Sequence, residues 1–226
     1  RPALPSRRGV MAGGQVMPSG RWMAARRPAW LLACLCGAGV ACAEAPSFAW
    51  PAACTPAENC WIVNYVDHDP GEGVRDYACG VATYNAPPHN RHQGTDIAVR
   101  DLGVMRAGMP VFAAADGRVL GARDGMADVS VRDPVAADIA GRECGNGVRL
   151  DHGGGWTSQY CHLRRDSIAV KPGERVKAGD RLGLIGLSGA TEYPHLHFQI
   201  EKDGVIVDPF VGTERSNPCA LGERPL

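Results

Sequence analysis

From residue 91 onward the chain is a series of short apolar runs, and this pattern constrains its fold more than any other feature. The runs are rich in Val, Ile, Leu, Tyr and Phe and are bounded by Gly, Asp or Pro, which is typical of β-strands separated by turns. They cover residues 95–99, 110–114, 117–122, 147–151, 156–163, 181–185 and 195–200. The sequence therefore predicts a mostly β fold, with a single domain built on an antiparallel β-sheet.

Two local signals complete the prediction of secondary structure. The dipeptide Asp203-Gly204 separates two apolar runs, and this pair favours a tight hairpin between two strands. Helical character is confined to a mild tendency over residues 133–142.

The first 43 residues indicate a leader that ends in a secretory signal peptide. Arg26-Arg27 precede an apolar stretch at residues 29–41, and the small-x-small sequence Ala41-Cys42-Ala43 follows. These are the three parts of a signal peptide, and Met23 is the expected start. The apolar stretch is shorter than the about 20 residues of a membrane-spanning helix, so no transmembrane anchor is expected.

Export to the periplasm or secretion is therefore the expected localisation. Lipid anchoring through Cys34 or Cys42 is the alternative. The charge distribution argues against a nucleic-acid binder. The whole chain has 24 basic and 24 acidic residues; residues 1–43 hold six arginines and no acid, so the remainder carries 18 − 24 = −6. Phosphate binding requires clustered Lys and Arg, and no such cluster is present.

The cysteines also suit an exported chain. Cleavage after Ala43 would remove three of the nine and leave an even set, which predicts up to three disulfides. The six that remain are Cys54, Cys60, Cys79, Cys144, Cys161 and Cys219. Cys54 and Cys60 can close a small loop, and Cys144 and Cys161 flank two predicted neighbouring strands. Zinc binding by cysteines is disfavoured because no CxxC pair occurs after residue 43.

The segment at residues 44–90 differs from the rest in composition. It is rich in Pro, Asp and Gly with isolated apolar runs. This composition predicts an irregular segment, held by disulfides, that leads into a domain at residues 91–210. Residues 211–226 form a C-terminal tail. The sequence leaves open whether the upstream segment covers a groove of the domain that follows it.

Four histidines and one aspartate fall in three strand-like segments. Residues an even number apart in a strand point to the same face, so His92 and Asp96 can share one face, as can His195 and His197. The third segment carries His162, which alternation places on the same face as Tyr160. Imidazole and carboxylate are ligands that zinc accepts, and a catalytic zinc keeps one position open beside three protein ligands.

These segments resemble the lysostaphin/LytM-type (M23) zinc metallopeptidases, and the resemblance covers roughly residues 91–209. It rests on the order and spacing of five sequences. They are HxxxD at residues 92–96, NGVRLDHG at 146–153, His162-Leu163, GDRLGLIG at 179–186 and PHLHF at 194–198.

The resemblance implies a domain with an open groove and one zinc ion in it. By position in the motifs, His92, Asp96 and His197 match the zinc ligands, and His162 and His195 match the other two active-site imidazoles. Two departures concern the groove rim. They are an apparent insertion between Val119 and Asn146, and Glu192-Tyr193 where small residues often precede Pro-His.

The other histidines and two tyrosines have simpler interpretations. His68, His89 and His152 are expected to be surface or structural residues. Tyr84 and Tyr160 can line a groove, although packing is the preferred interpretation.

The resemblance and the export signal together imply an exported zinc endopeptidase that hydrolyses the peptide cross-links or stems of peptidoglycan. A catalytically silent wall-binding activator of another hydrolase and a zinc peptidase of non-wall peptides are the alternatives. No nucleic-acid partner is expected, and the sequence does not indicate an oligomeric state.

Overall fold

The computed structural model describes residues 45–86, 90–134 and 139–212, which belong to one compact unit. The predicted leader and signal peptide, His89, Cys219 and most of the C-terminal tail lie outside the described residues. Among those described, no helix is both long enough and apolar enough to cross a membrane.

The regular secondary structure of the described chain is almost entirely β-strand. The strands are β1 (Cys60–Asn64), β2 (Asn85–Ala86), β3 (Asn90–Arg91), β4 (Thr95–Val99), β5 (Pro110–Phe112), β6 (Gly117–Arg123), β7 (Asn146–Gly153), β8 (Trp156–Leu163), β9 (Arg175–Val176), β10 (Arg181–Leu184), β11 (His195–Lys202) and β12 (Val205–Val207), and one short helix, α1 (Leu102–Ala107), follows β4.

Eight strands form one antiparallel sheet, in the order β1-β4-β11-β8-β7-β6-β9, with β12 paired to β11. Two small two-stranded sheets, β5 with β10 and β2 with β3, complete the β-structure. The predicted mostly β, antiparallel fold class is therefore confirmed. The hairpin at Asp203-Gly204 joins β11 to β12, as its turn residues predict.

The sheet has an apolar face and a polar face because side chains alternate along each strand. In β11, Leu196, Phe198 and Ile200 are buried in the hydrophobic core, so His195 and His197 lie on the opposite face. Pairing continues this division across β4, where Leu196 is opposite Ile97 and His197 is opposite Asp96. The polar face therefore carries several of the predicted site residues side by side.

Both disulfides that the sequence suggested are present. Cys54 bonds Cys60, and Cys144 bonds Cys161. Cys79 is disulfide-bonded as well.

The predictions for the upstream segment and for helices hold only in part. The segment is largely irregular, but it also supplies β1, which pairs with β4 at one edge of the main sheet. No helix forms in the described part of residues 133–142, which consists of turns and irregular structure. Helix α1 was missed, although Asp101 at its N-cap, which accepts from the Val104 amide, and Gly108 at its C-cap are typical helix boundaries.

Candidate metal centre

The pairing of β4 with β11 creates the centre of the site. Asp96 lies directly across from His197, and His195 is across from Ala98, so both imidazoles and the carboxylate project from neighbouring positions on the polar face. His92 approaches from the short connection that precedes β4.

Three potential ligand atoms converge at this point. His92 Nε2 lies 3.0 Å from Asp96 Oδ1 and 3.1 Å from His197 Nδ1, and His197 Nδ1 lies 2.9 Å from Asp96 Oδ1. The structure therefore brings the three predicted zinc-binding side chains, which are up to 105 residues apart in sequence, within reach of one ion.

The protonation state of His92 follows from its second nitrogen. His92 Nδ1 lies 2.7 Å from the Tyr65 carbonyl oxygen. A carbonyl oxygen can only accept a hydrogen bond, so Nδ1 carries the proton and donates it. In the neutral ring, Nε2 is then left with a bare lone pair that faces Asp96 and His197.

A chain of hydrogen bonds fixes His197 in the same way. The Gln199 amide donates from Nε2 to Glu201 Oε1 at 2.7 Å, which turns the Gln199 oxygen towards His197. His197 Nε2 donates to that oxygen at 3.4 Å, so His197 Nδ1 is the bare nitrogen. Arg149 closes the chain with an ion pair to Glu201 at 2.7 Å.

Three acceptors thus face one another with no proton among them. Two lone pairs and a carboxylate oxygen at about 3 Å repel one another unless a cation lies between them. The ionised carboxylate and two neutral imidazoles are a donor set that fits zinc.

His162 faces the centre from β8 with its other nitrogen engaged. Its Nδ1 donates to the Ser188 carbonyl oxygen at 2.8 Å, which leaves Nε2 bare, and its ring centroid lies 4.7 Å from that of His195. Burial, followed by the neighbouring His195 and His197, lowers the pKa of His162 well below its usual value. The ring is therefore neutral at neutral pH.

The predicted orientation of His162 is wrong in one respect. Simple alternation placed His162 and Tyr160 on one face, but Tyr160 is fully buried against Phe198 on the apolar face. The cause is the backbone of His162, whose φ of 61° is in the left-handed region and breaks the alternation of β8.

His195 is held similarly by the loop before β11. Its Nδ1 lies 3.0 Å from the Tyr193 carbonyl oxygen and 3.0 Å from Thr191 Oγ1, and the Thr191 hydroxyl donates to the same carbonyl. His195 Nδ1 is therefore protonated, and its bare Nε2 lies 3.5 Å from Asp96 Oδ1.

Two tyrosines flank the centre and remain partly exposed. Tyr84 packs against His92 with ring centroids 4.5 Å apart and an interplanar angle of 31°, and Tyr193 packs against His195 at 5.0 Å and 37°. Their exposed fractions are 44% and 38%, so both side chains are partly open to solvent beside the centre. The sequence favoured packing for Tyr84, and the structure places it at the rim of the site.

The remaining described histidines have structural partners. His68 pairs with the buried Asp208 at 2.8 Å, and His152 contacts Ser158 and the Asp116 carbonyl at 2.7 Å each. Neither contacts the metal centre in the described part of the chain, which agrees with the expectation from sequence.

Sequence reasoning missed the groups that orient the site. The carbonyl oxygens of Tyr65 and Ser188, the amide of Gln199 and the side chain of Asn64, which donates to Asp96 Oδ2 at 2.9 Å, bear no motif of their own. Two of these are backbone atoms, which any residue type supplies, so no residue pattern signals them.

The sequence of this chain matches a known protein family. The family model described as "Peptidase family M23" matches residues 90–209. The chain is 35% identical to the peptidoglycan DD-endopeptidase ShyA of Vibrio cholerae over 118 residues. These residues make up 52% of this chain and 21% of that protein. It is 33% identical to ShyB, another peptidoglycan DD-endopeptidase of Vibrio cholerae, over 109 residues. These make up 48% of this chain and 20% of that protein.

The chain therefore spans about a fifth of the length of these curated relatives. Among solved structures, a chain of the SpoIIIAH–SpoIIQ complex matches with a TM-score of 0.51 and 22% identity, over 72% of this chain and 96% of that one. This likeness concerns the fold alone.

Proposed function

Because the chain belongs to peptidase family M23, we propose that it is a zinc-dependent endopeptidase that hydrolyses peptide bonds in the cross-links or stems of peptidoglycan. The observation that carries the proposal is the convergence of three proton-free acceptors, beside which two further imidazoles present bare nitrogens. His92, Asp96 and His197 are the residues that would hold the ion.

The substrate class rests on the relatives. The two relatives described above are named peptidoglycan DD-endopeptidases, and the family match at residues 90–209 includes all five site residues. Peptidoglycan lies outside the cytoplasm, so the proposal also requires export, in accord with the predicted signal peptide.

The chemistry divides between the ion and the two remaining imidazoles. When bound, zinc supplies a Lewis acid that polarises a carbonyl group and lowers the pKa of a water molecule towards about 7. His162 and His195 each present an unprotonated Nε2, which can accept the proton of the attacking water and return it to the leaving amine. Once protonated, the same Nε2 is a donor that can stabilise charge on the carbonyl oxygen.

The fixed tautomers make both imidazoles competent for this work. Each ring donates its Nδ1 proton to a carbonyl oxygen, Ser188 for His162 and Tyr193 for His195, so Nε2 is the nitrogen that exchanges protons. These contacts also hold each ring in place, which lowers the cost of orienting it for proton transfer.

The direct test combines metal content with cleavage of purified peptidoglycan. We expect the wild-type chain to contain one zinc and to release cross-linked muropeptides in a chelator-sensitive way. The variant His197→Ala should lose both zinc and cleavage. The variants His162→Ala and His195→Ala should retain zinc and lose most turnover, on the order of 100-fold or more, because each removes a proton-transfer group.

Each alternative has its own outcome in the same experiment. Binding to the wall without release of muropeptides would support a silent activator, and cleavage of proteins but not of peptidoglycan would support a different peptidase. Loss of zinc from His162→Ala would contradict the division of roles.

A further inference from the structure

Asn64 contacts the metal centre from outside the family match. It is the last residue of β1, and the family model begins at residue 90. Its side-chain Nδ2 lies 2.9 Å from Asp96 Oδ2 and 3.2 Å from the Tyr193 hydroxyl oxygen. The two amide hydrogens can therefore serve a metal-binding carboxylate and a rim tyrosine at the same time.

A β-bulge puts Asn64 in this position. Ile62 pairs with Ile97, so regular antiparallel pairing would place Val63 opposite Asp96. The observed partner of Asp96 is Asn64 instead, which makes Val63 an extra residue in β1. Bulges of this kind redirect a side chain, and they are frequent beside active sites. Without the bulge, the apolar Val63 would lie opposite Asp96. With it, Asn64 lies there and donates a hydrogen bond to the carboxylate.

The two oxygens of Asp96 consequently have different surroundings. Oδ1 faces His92, His195 and His197 at 3.0, 3.5 and 2.9 Å. Oδ2 accepts the hydrogen bond from Asn64. A carboxylate held in this way presents one oxygen to the centre and keeps the other turned away.

With zinc bound at the site proposed above, we propose that Asn64 is a positioning residue. Its hydrogen bond to Oδ2 makes Asp96 coordinate the ion through Oδ1 alone. A catalytic zinc needs a coordination position free for water and substrate, and a second oxygen from Asp96 would occupy it. The adjacent Tyr65 supports the same centre, because its carbonyl oxygen fixes the tautomer of His92. Two consecutive residues upstream of the family match therefore orient two of the three metal-binding side chains.

The test replaces Asn64 in the full chain and reads out the metal rather than turnover alone. Asn64→Leu keeps the branched shape and the number of side-chain heavy atoms but removes the donor, and Asn64→Ala is a second variant with less steric risk. Zinc affinity is measured by competition with a chromophoric chelator, and coordination number by the visible absorption of the Co²⁺-substituted protein. We expect both variants to bind zinc about 10- to 100-fold more weakly and to show the weaker Co²⁺ absorption of a higher coordination number.

Tyr193→Phe is the matched control. It removes the other partner of the Asn64 amide and leaves the contact with Asp96 in place, so zinc affinity and the Co²⁺ spectrum should stay at wild-type values. The melting temperature of the metal-free proteins monitors the fold, and it should be unchanged in the Asn64 variants.

The outcomes separate this inference from the proposed function. Wild-type protein that takes up no zinc overturns both. Wild-type protein that binds zinc, with Asn64 variants of equal affinity and an unaltered Co²⁺ spectrum, overturns only the role of Asn64. A weakened affinity that appears equally in Tyr193→Phe, or that is accompanied by a lower melting temperature of the metal-free variants, also overturns it.

Discussion

At the scale of single residues, the backbone of His162 shows how the site is oriented. Its φ of 61° places a non-glycine residue in the left-handed region inside a strand, at a cost of about 1–3 kcal/mol. The conformation is held by two hydrogen bonds, from the His162 amide to the Cys144 carbonyl and from Nδ1 to the Ser188 carbonyl, each 2.8 Å long. The strain turns the imidazole onto the polar face, where His195 and His197 lie.

Gly94 provides a prediction at the same scale. A Cβ atom at this position would lie 2.6 Å from the Phe198 carbonyl oxygen and 2.7 Å from the His197 ring, closer than real Cβ contacts. We expect Gly94→Ala to displace His197 and to lower zinc affinity at least tenfold, since outer contacts that orient a ligand are typically worth 10- to 100-fold. Titration with a chelator measures the change.

Gly121 is the matched control for this substitution. It lies in β6, where an added methyl group would meet no atom of the described residues within 4 Å, so Gly121→Ala should leave zinc affinity unchanged. Equal zinc affinities in the two variants would show that the close approach at Gly94 does not constrain His197.

At the scale of elements, the site depends on segments that carry none of its ligands. The apparent insertion between β6 and β7 packs on the loop that holds His195. The Val131 amide donates to the Thr191 carbonyl, and the Ser130 hydroxyl donates to the Glu192 carbonyl. At the other end of the insertion, Cys144 is bonded to Cys161, the residue that precedes His162. The insertion thus supports the segments that hold both His162 and His195.

The Cys144–Cys161 disulfide should therefore matter for turnover as well as for stability. It closes a loop with a sequence separation of 17, for which chain entropy alone predicts about 3 kcal/mol. We expect Cys144→Ala/Cys161→Ala to lower the unfolding free energy by about that amount. We also expect it to reduce turnover at temperatures where the chain remains folded, because the Cys144 carbonyl that holds His162 is released. Denaturant unfolding and peptidoglycan cleavage measure the two effects.

The Cys54–Cys60 disulfide is the comparison. It closes a shorter loop, with a sequence separation of 6, and has no contact with His162 in the described structure. Cys54→Ala/Cys60→Ala should lose less stability and keep its turnover when folded. A similar loss of turnover in both double variants would contradict a specific role for the Cys144–Cys161 bond.

At the scale of the whole molecule, the upstream segment and the family region fold as one unit. Phe48, Ala52 and Cys60 belong to the same buried core as the strands of the main sheet. β1 also covers the edge of β4, and an uncovered strand edge is prone to pair with other chains. The segment is therefore part of the same folded unit as the family region.

This predicts the behaviour of a truncated chain. A fragment limited to residues 90–212 would expose the β4 edge and the core surface left by Phe48 and Ala52, so we expect it to aggregate or to bind zinc far more weakly than the full chain. Size-exclusion chromatography and metal content test this. A monomeric fragment with full zinc affinity would show that the upstream segment is dispensable.

Much of the fold was predictable from the sequence, and the reasons are local. β4 and β8 begin and end at the predicted residues, 95–99 and 156–163, because apolar and turn residues mark strands by short-range chemistry. β1 was missed because its apolar run is brief and lies among Pro, Asp and Gly. Its strand character comes from pairing with β4, which a local pattern does not contain.

The sequence by itself determined the β-rich fold, the family resemblance and the five side chains with the chemistry of a metal site. The tertiary structure decided how they face one another. The left-handed backbone of His162, the bulge that brings Asn64 to Asp96 and the carbonyls that fix the tautomers of His92 and His162 all arise from contacts between distant segments. Alternation along a strand is a property of neighbouring residues, whereas register, bulges and tautomers depend on which strand lies beside it.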